Sequence, residues 1–200
     1  MIKYMNLIGR KARKASEYKV TTEVKNKVLN DYAKLIKNEK KYIINQNSKD
    51  INYARKKGLK ENLIKRLHLN ENKLDGIINS ILKIAKLRDP IDSTLEKWKR
   101  PNGLDIKRVS IPIGVIGVIY ESRPNVTSDV ASLCFKSGNV VILKGGSEAI
   151  NSNKALAKLF RKALKKNKVN ENFIQFIDSK QRKLVDIMLS NCLLYTSPSP

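Results

Sequence analysis

Two hundred residues, 41% of them hydrophobic, make one large domain or two small ones with enough apolar material for a core. No apolar run reaches about 18 residues and MIKYMNLIGRKARKAS lacks the apolar stretch of a signal peptide, so no membrane span is expected and the cytoplasm is the expected location. The formal charge of +23 raises a basic nucleic-acid-binding module as one reading, but the charge is spread along the chain without a stacking platform, finger or helix-turn-helix pattern, so most of it reads as solvated surface.

The first ninety residues read as helices. Val24, Val28, Tyr32, Leu35 and Ile36 share one helical face, and Leu74, Ile77, Ile78, Ile81, Leu82 and Ala85 share another. Gly58 and the run Leu63–Leu69 mark a turn and a shorter helix, and Asp89-Pro90 stops the last one. From Gly103 the period changes. Leu104, Ile106, Val109 and Ile111 alternate with charges as in a strand. Ile113 to Tyr120 reads as a buried strand, Val140 to Leu143 as a second and Phe173 to Ile177 as a third. Helical segments separate them: Val126 to Ser137, with Asn125 and Thr127 as possible caps, then Asn153 to Lys166, then Lys180 to Leu189. Strand alternating with helix implies a parallel sheet with right-handed crossovers. The expected fold class is therefore α/β, with a mainly helical portion over 1–102, a Rossmann-like portion over 103–190 and one structural domain spanning 1–190. The tail over 191–200 has neither period; it reads as a disordered end or as a stretch foreign to the fold, and the helix before it stops mid-element.

One segment of this basic chain is quiet. Between Pro112 and Ala149 the only basic residues are Arg123, Lys136 and Lys144, and Gly114, Gly117, Gly138, Gly145 and Gly146 punctuate it. It holds two strand ends, and a parallel sheet binds ligands beyond such ends. After the first end come Arg123, Pro124 and Asn125; the Asn125 amide is either an oxyanion donor or a helix cap. Arg123 is suited either to an anionic substrate group or to an ion pair at a helix terminus. After the second end, Lys144 places a cation at the strand mouth, while Gly145 and Gly146 either admit a ligand close to the backbone or make only a tight turn. No GxGxxG fingerprint opens a helix here. The residues alone reach an α/β domain with an anion or nucleotide pocket.

PIGVIGVIYESRPNVTSDVASLCFKSGNVVILKGGSEA resembles the γ-glutamyl phosphate reductases, members of the aldehyde dehydrogenase superfamily. KDINYARKKGL, RDPI and FIDSKQRKLVDIML extend the resemblance more weakly, to the first half of such a chain. It implies NADPH-dependent reduction of γ-glutamyl phosphate to glutamate 5-semialdehyde in proline biosynthesis. The cofactor would be NADP(H), bound without a GxGxxG turn, and the complete enzyme would be a homo-oligomer. Asn125 matches the asparagine that faces the reacting oxygen, and Lys144 the lysine at the adenosine ribose or its 2′-phosphate. Ser147 and Glu148 fall near the ribose contacts, with Gly145 and Gly146 shifting the register; Glu148 would repel a 2′-phosphate and is expected to point elsewhere. Another aldehyde dehydrogenase-type oxidoreductase is the nearest alternative.

The nucleophilic cysteine of that family has no match here. Cys134 is read with Val130 and Leu133 on the apolar face of a helix, where a thiol behaves as a small hydrophobe. Cys192 lies in the non-matching tail. His68, the one histidine, has no partner in the pattern and reads as a surface residue. The chain as it stands is expected to be an N-terminal fragment without reductase activity.

Overall fold

Val140, Val141, Ile142 and Leu143 are apolar without a break because the strand they belong to is covered on both faces. The computed structural model describes residues 1–190; Cys192 and the 191–200 tail lie outside the described residues. Strand β4 (Val140–Lys144) is the middle of a three-stranded parallel sheet, between β3 (Val115–Ile119) and β5 (Ile174–Phe176). Helix α6 (Pro124–Lys136) connects β3 to β4, and α7 (Ile150–Lys166) connects β4 to β5. The Rossmann-like grammar read from the sequence is therefore present.

Five helices precede the sheet: α1 (Ile2–Ser16), α2 (Thr22–Asn38), α3 (Lys40–Lys56), α4 (Glu61–Leu67) and α5 (Glu71–Lys86). The apolar stripes of α2 and α5 face each other, and α2 and α3 also pack on α7. One apolar cluster runs from Met5 on α1 through Tyr32 and Ile81 to Leu143, Phe160 and Met188. Inside it the rings of Tyr32 and Phe160 lie 4.4 Å apart, and Phe135 meets Phe160 and Phe173 edge-on. The last described element is α8 (Lys183–Leu189).

Four details depart from the sequence reading. The run from Ile113 to Tyr120 is not a buried strand: Val115 is buried, but Ile113 is 64% and Ile119 44% exposed. Among the described residues β3 has a single neighbour, β4, so its other edge and much of its side-chain surface meet solvent. Leu133 is 49% exposed; α6 buries Ala131, Cys134 and Phe135 instead. Neither Asn125 nor Thr127 caps α6. Arg123 is the N-cap, because Pro124, with its fixed φ and absent N–H, already suits the first helical position. Finally, a strand lies within the portion read as helical. β1 (Thr94–Lys99) pairs antiparallel with β2 (Asp105–Val109), Trp98 opposite Ile106, in a hairpin exposed along almost its whole length.

The end of α6 is fixed by Gly138, whose φ of +71° continues into hydrogen bonds from Gly138 N–H to Phe135 O and from Asn139 N–H to Cys134 O. That left-handed turn redirects the chain straight into β4. The start of α7 is fixed from outside. Asp50 on α3, fully buried, accepts from the backbone N–H of Asn151 at 3.1 Å and of Ser152 at 2.8 Å, and from the Ser152 hydroxyl at 2.6 Å. A carboxylate on the first amides of a helix satisfies donors that the helix itself cannot pair. Asn47, one turn earlier, donates to Ser152 Oγ and to Leu67 O, so the same pair of residues ties α3, α4 and α7 together.

Candidate active-site cleft

The C-terminal ends of β3 and β4 open into a cleft of about 630 Å³ that Leu59, Leu63, Arg66, Lys180, Arg182 and Val185 also line. Its floor is made of the two loops that follow the strands, Tyr120 to Arg123 and Lys144 to Glu148. Arg66, Arg123, Lys144, Lys180 and Arg182 line it against Glu121 and Glu148. The balance favours an anionic ligand.

The two glycines earn their place through crowding between protein groups. Neither has a positive φ. A Cβ on Gly145 would stand 2.3 Å from Asn153 Nδ2 and about as close as 3.0 Å to the Tyr120 ring; one on Gly146 would stand 2.6 Å from Ser122 Oγ. The loop after β4 thus lies directly against the loop after β3 and the first turn of α7. The neighbours that require glycine are Asn153, Tyr120 and Ser122, where the sequence had offered a ligand or a tight turn. Tyr120 is itself held: its hydroxyl is 2.7 Å from Thr127 Oγ1, which donates to Asn153 Oδ1 at 3.0 Å. Asn153 Nδ2, buried beside Gly145, has no partner.

Lys144 is only 5% exposed, and its ammonium donates to Gly145 O at 3.0 Å. Burial lowers its pKa, with the Glu148 carboxylate opposing that shift. Glu148 remains in the cleft and is locked, accepting from Ser122 Oγ at 3.0 Å and Ser147 Oγ at 2.6 Å. Burial alone would raise its pKa, but the hydroxyl of Ser147, its own backbone N–H, the hydroxyl of Ser122 and the charge of Lys57 hold it below the usual range. Ser147 is therefore committed to Glu148. A cation and a fixed carboxylate lining the same cleft suit a neutral polyol such as a ribose: the first donates, the second accepts.

Asn125 lies on the exposed face of the first turn of α6. Its Nδ2 donates to Asp129 Oδ2 at 3.2 Å, and Asp129 Oδ1 accepts from Ser80 Oγ on α5 at 2.9 Å. An amide nitrogen carries two N–H groups, so one is taken by Asp129 and the other stays available. Ser80 and Asp129 were missed by the sequence reading, although Asp129, one helical turn from Asn125, was within reach of the i, i+4 rule. Arg123 is exposed and makes no ion pair among the described residues, so it is free to meet an anion at the mouth. His68 is exposed. Cys134 is buried, and burial pushes its thiol up to about 11, so a thiolate is not formed there near neutral pH.

No family model matches the chain. Individual proteins do. The γ-glutamyl phosphate reductase of Persephonella marina is 42% identical over 189 residues, covering 94% of this chain and 42% of the relative. The crystal structure of the γ-glutamyl phosphate reductase from Thermotoga maritima superposes with a TM-score of 0.87 at 41% identity, over 89% of this chain and 44% of that one. An acetylating aldehyde dehydrogenase from Geobacillus thermoglucosidasius superposes with a TM-score of 0.67 at 13% identity, which establishes a shared fold only. The chain spans less than half the length of the curated relatives it matches. With the parallel sheet and the cleft at its strand ends, the resemblance read from the sequence is borne out: this chain has an aldehyde dehydrogenase-like fold and is similar, over nearly its whole length, to part of the γ-glutamyl phosphate reductases.

Proposed function

We propose that the complete protein containing this sequence reduces γ-glutamyl phosphate to glutamate 5-semialdehyde and inorganic phosphate with NADPH, and that the present residues supply the cofactor side of the site and the oxyanion donor. The observation that carries this reading is the 42% identity over 189 residues with a γ-glutamyl phosphate reductase, on a fold whose strand ends form a cation-lined cleft. The residues fit a dinucleotide. Lys144 and Glu148 would hold the adenosine ribose hydroxyls, Gly145 and Gly146 keep side chains off the floor, and the remaining cations of the cleft would balance the charge of the phosphates. Bound at the cleft, the nicotinamide supplies the hydride.

The chemistry needs a thiolate, an oxyanion donor and that hydride. A thiolate attacks the acyl carbon, the carbon–oxygen bond to phosphate breaks, and inorganic phosphate leaves with the electron pair. Hydride addition to the thioester carbonyl and departure of the thiolate then give the aldehyde. Both steps place negative charge on the carbonyl oxygen, and Asn125 would donate its free N–H there. Asp129, held by Ser80, would keep the amide nitrogen turned towards the reacting oxygen. Arg123, at the mouth of the cleft, would attract the anionic substrate. Cys134, the cysteine among the described residues, is too deeply buried and too weakly acidic to be the nucleophile.

The test compares the 200-residue chain with the longer gene product in the reverse direction, oxidation of glutamate 5-semialdehyde with NADP+ and phosphate. Turnover is expected from the longer product alone, with simple aldehydes much poorer substrates. Equal use of simple aldehydes would favour a different aldehyde dehydrogenase-type activity, and turnover by the chain itself that vanishes in Cys134→Ser would overturn the placement of the nucleophile elsewhere.

A further inference from the structure

The Lys144–Glu148 pair fits ribose hydroxyls, and its fixed carboxylate disfavours a second phosphate group in the same place. Burial and the bond to Gly145 O also leave the Lys144 ammonium little freedom to turn outward. A phosphate on that ribose therefore needs its counter-charge elsewhere along the cleft.

Such charge stands at the rim. Tyr53, on the last turn of α3, is half-buried. The Lys180 ammonium lies 3.7 Å from the centroid of its ring, and the Lys57 ammonium 5.0 Å from the same centroid. Lys57 is the C-cap of α3 and Lys180 belongs to the loop between β5 and α8, so only the fold brings them together. Lys180 also lines the cleft that holds Lys144 and Glu148, and Lys57 is near enough to Glu148 for their charges to interact. A ring attracts a cation over its face, but two ammonium groups drawn to one ring repel each other. An anion placed between them relieves that repulsion, and both side chains are long enough to follow it.

We propose that Lys57 and Lys180, gathered on Tyr53, form the site for a phosphate monoester at the rim of the cleft, and that its ligand is the 2′-phosphate of the adenosine ribose. The proposal rests on the cofactor reading above and deepens it: Lys144 and Glu148 take the sugar, and the Tyr53 cluster reads the extra phosphate. Lys180 and Lys57 would thus set the preference for NADP(H) over NAD(H).

The experiment is calorimetric titration of the full chain with NADP+ and separately with NAD+, which differ only in that phosphate, and then with inorganic phosphate. Both lysines are exposed, so their substitution leaves the core intact, and a thermal melt verifies it. Lys180→Gln is expected to weaken NADP+ about tenfold, the scale of one charge-assisted contact, and to leave NAD+ within about twofold. Lys57→Gln should act in the same direction and Lys180→Arg should restore most of the loss. Equal weakening of both dinucleotides, or no change in either, would overturn the proposal. If the unsubstituted chain binds the two equally, the phosphate site falls while the nicotinamide reading stands; if it binds neither, both fall. Inorganic phosphate that binds through Lys180 without competing with NADP+ would assign the site to the phosphate of the substrate and overturn the ribose assignment.

Discussion

The two strand ends of the sheet, side by side in space, are built in opposite ways. The loop after β4 is locked: Lys144 is buried, Glu148 is held by two serine hydroxyls, and two glycines allow contact with Tyr120, Ser122 and Asn153. The segment after β3 is open. Arg123 and Asn125 are exposed, and Asn125 has one anchor, Asp129. A locked loop suits a group that must be met in one fixed pose, such as a ribose. An open one suits groups that become paired only when a substrate arrives. Stability should therefore respond to changes at the β4 end, and activity to changes at the β3 end.

The largest effect expected from that contrast is on turnover. In the complete enzyme Asn125→Ala should lower kcat by about 10²–10³, as loss of an oxyanion donor does, with almost no change in melting temperature. Asp129→Asn can still bond Ser80 but no longer accepts as a charged group from Asn125; it should lower kcat by about tenfold and leave the KM for NADPH unchanged. A melting temperature that falls with kcat in either variant would make Asn125 a structural residue and erase the contrast.

Next in size are losses of stability on the β4 side. Asp50→Ala leaves the first amides of α7 and the Ser152 hydroxyl without their buried acceptor, and should cost about 3 kcal/mol in urea unfolding. Gly145→Ala should cost about 2 kcal/mol, because its Cβ would overlap Asn153 and press on Tyr120. Gly76→Ala is the counterpart. It lies within α5 with open space around the added Cβ, so it should stabilise by about 0.5–1 kcal/mol. A neutral Gly145→Ala would mean that the two loops are less tightly joined than their contacts require.

The smallest effect is a pH dependence. The pKa of Glu148 in the folded chain lies below its ordinary value of 4.5, so the stability it lends is complete above that pH and is lost as the pH falls through the lower folded value. Glu148→Gln should flatten the acid limb of a stability profile below about pH 4.5 and leave the neutral region little changed. An unaltered acid limb would show that the carboxylate is not held as the serine contacts imply.

Much of the fold was legible because its signals are local. The stripes of α2, α5 and α7 repeat at the helical period, and the unbroken apolar run of β4 marks a strand covered on both faces. Local signals also misled. Ile113 to Tyr120 has the same apolar character as β4 but meets a single strand neighbour among the described residues, because the number of neighbours a strand has is not written in its own residues. The alternation from Leu104 to Ile111 announced β2, but its partner β1 escaped notice because Thr94 to Lys99 is mostly charged and polar, with neither face buried.

At the site, the sequence by itself determined the residue types at the two strand ends and, through its resemblance, the chemistry expected of them. Asp129 lay within its reach, one turn from Asn125 on the same helix. Only the tertiary structure decided that Gly145 and Gly146 serve contact between loops, that Ser147 and Ser122 hold Glu148, and that Asp50 starts α7. It also decided that Lys57 and Lys180 meet on Tyr53. The reason is distance along the chain: periodicity reports which face of one element is buried, whereas hydrogen bonds and ion pairs between elements depend on how separate segments pack, which no local pattern records.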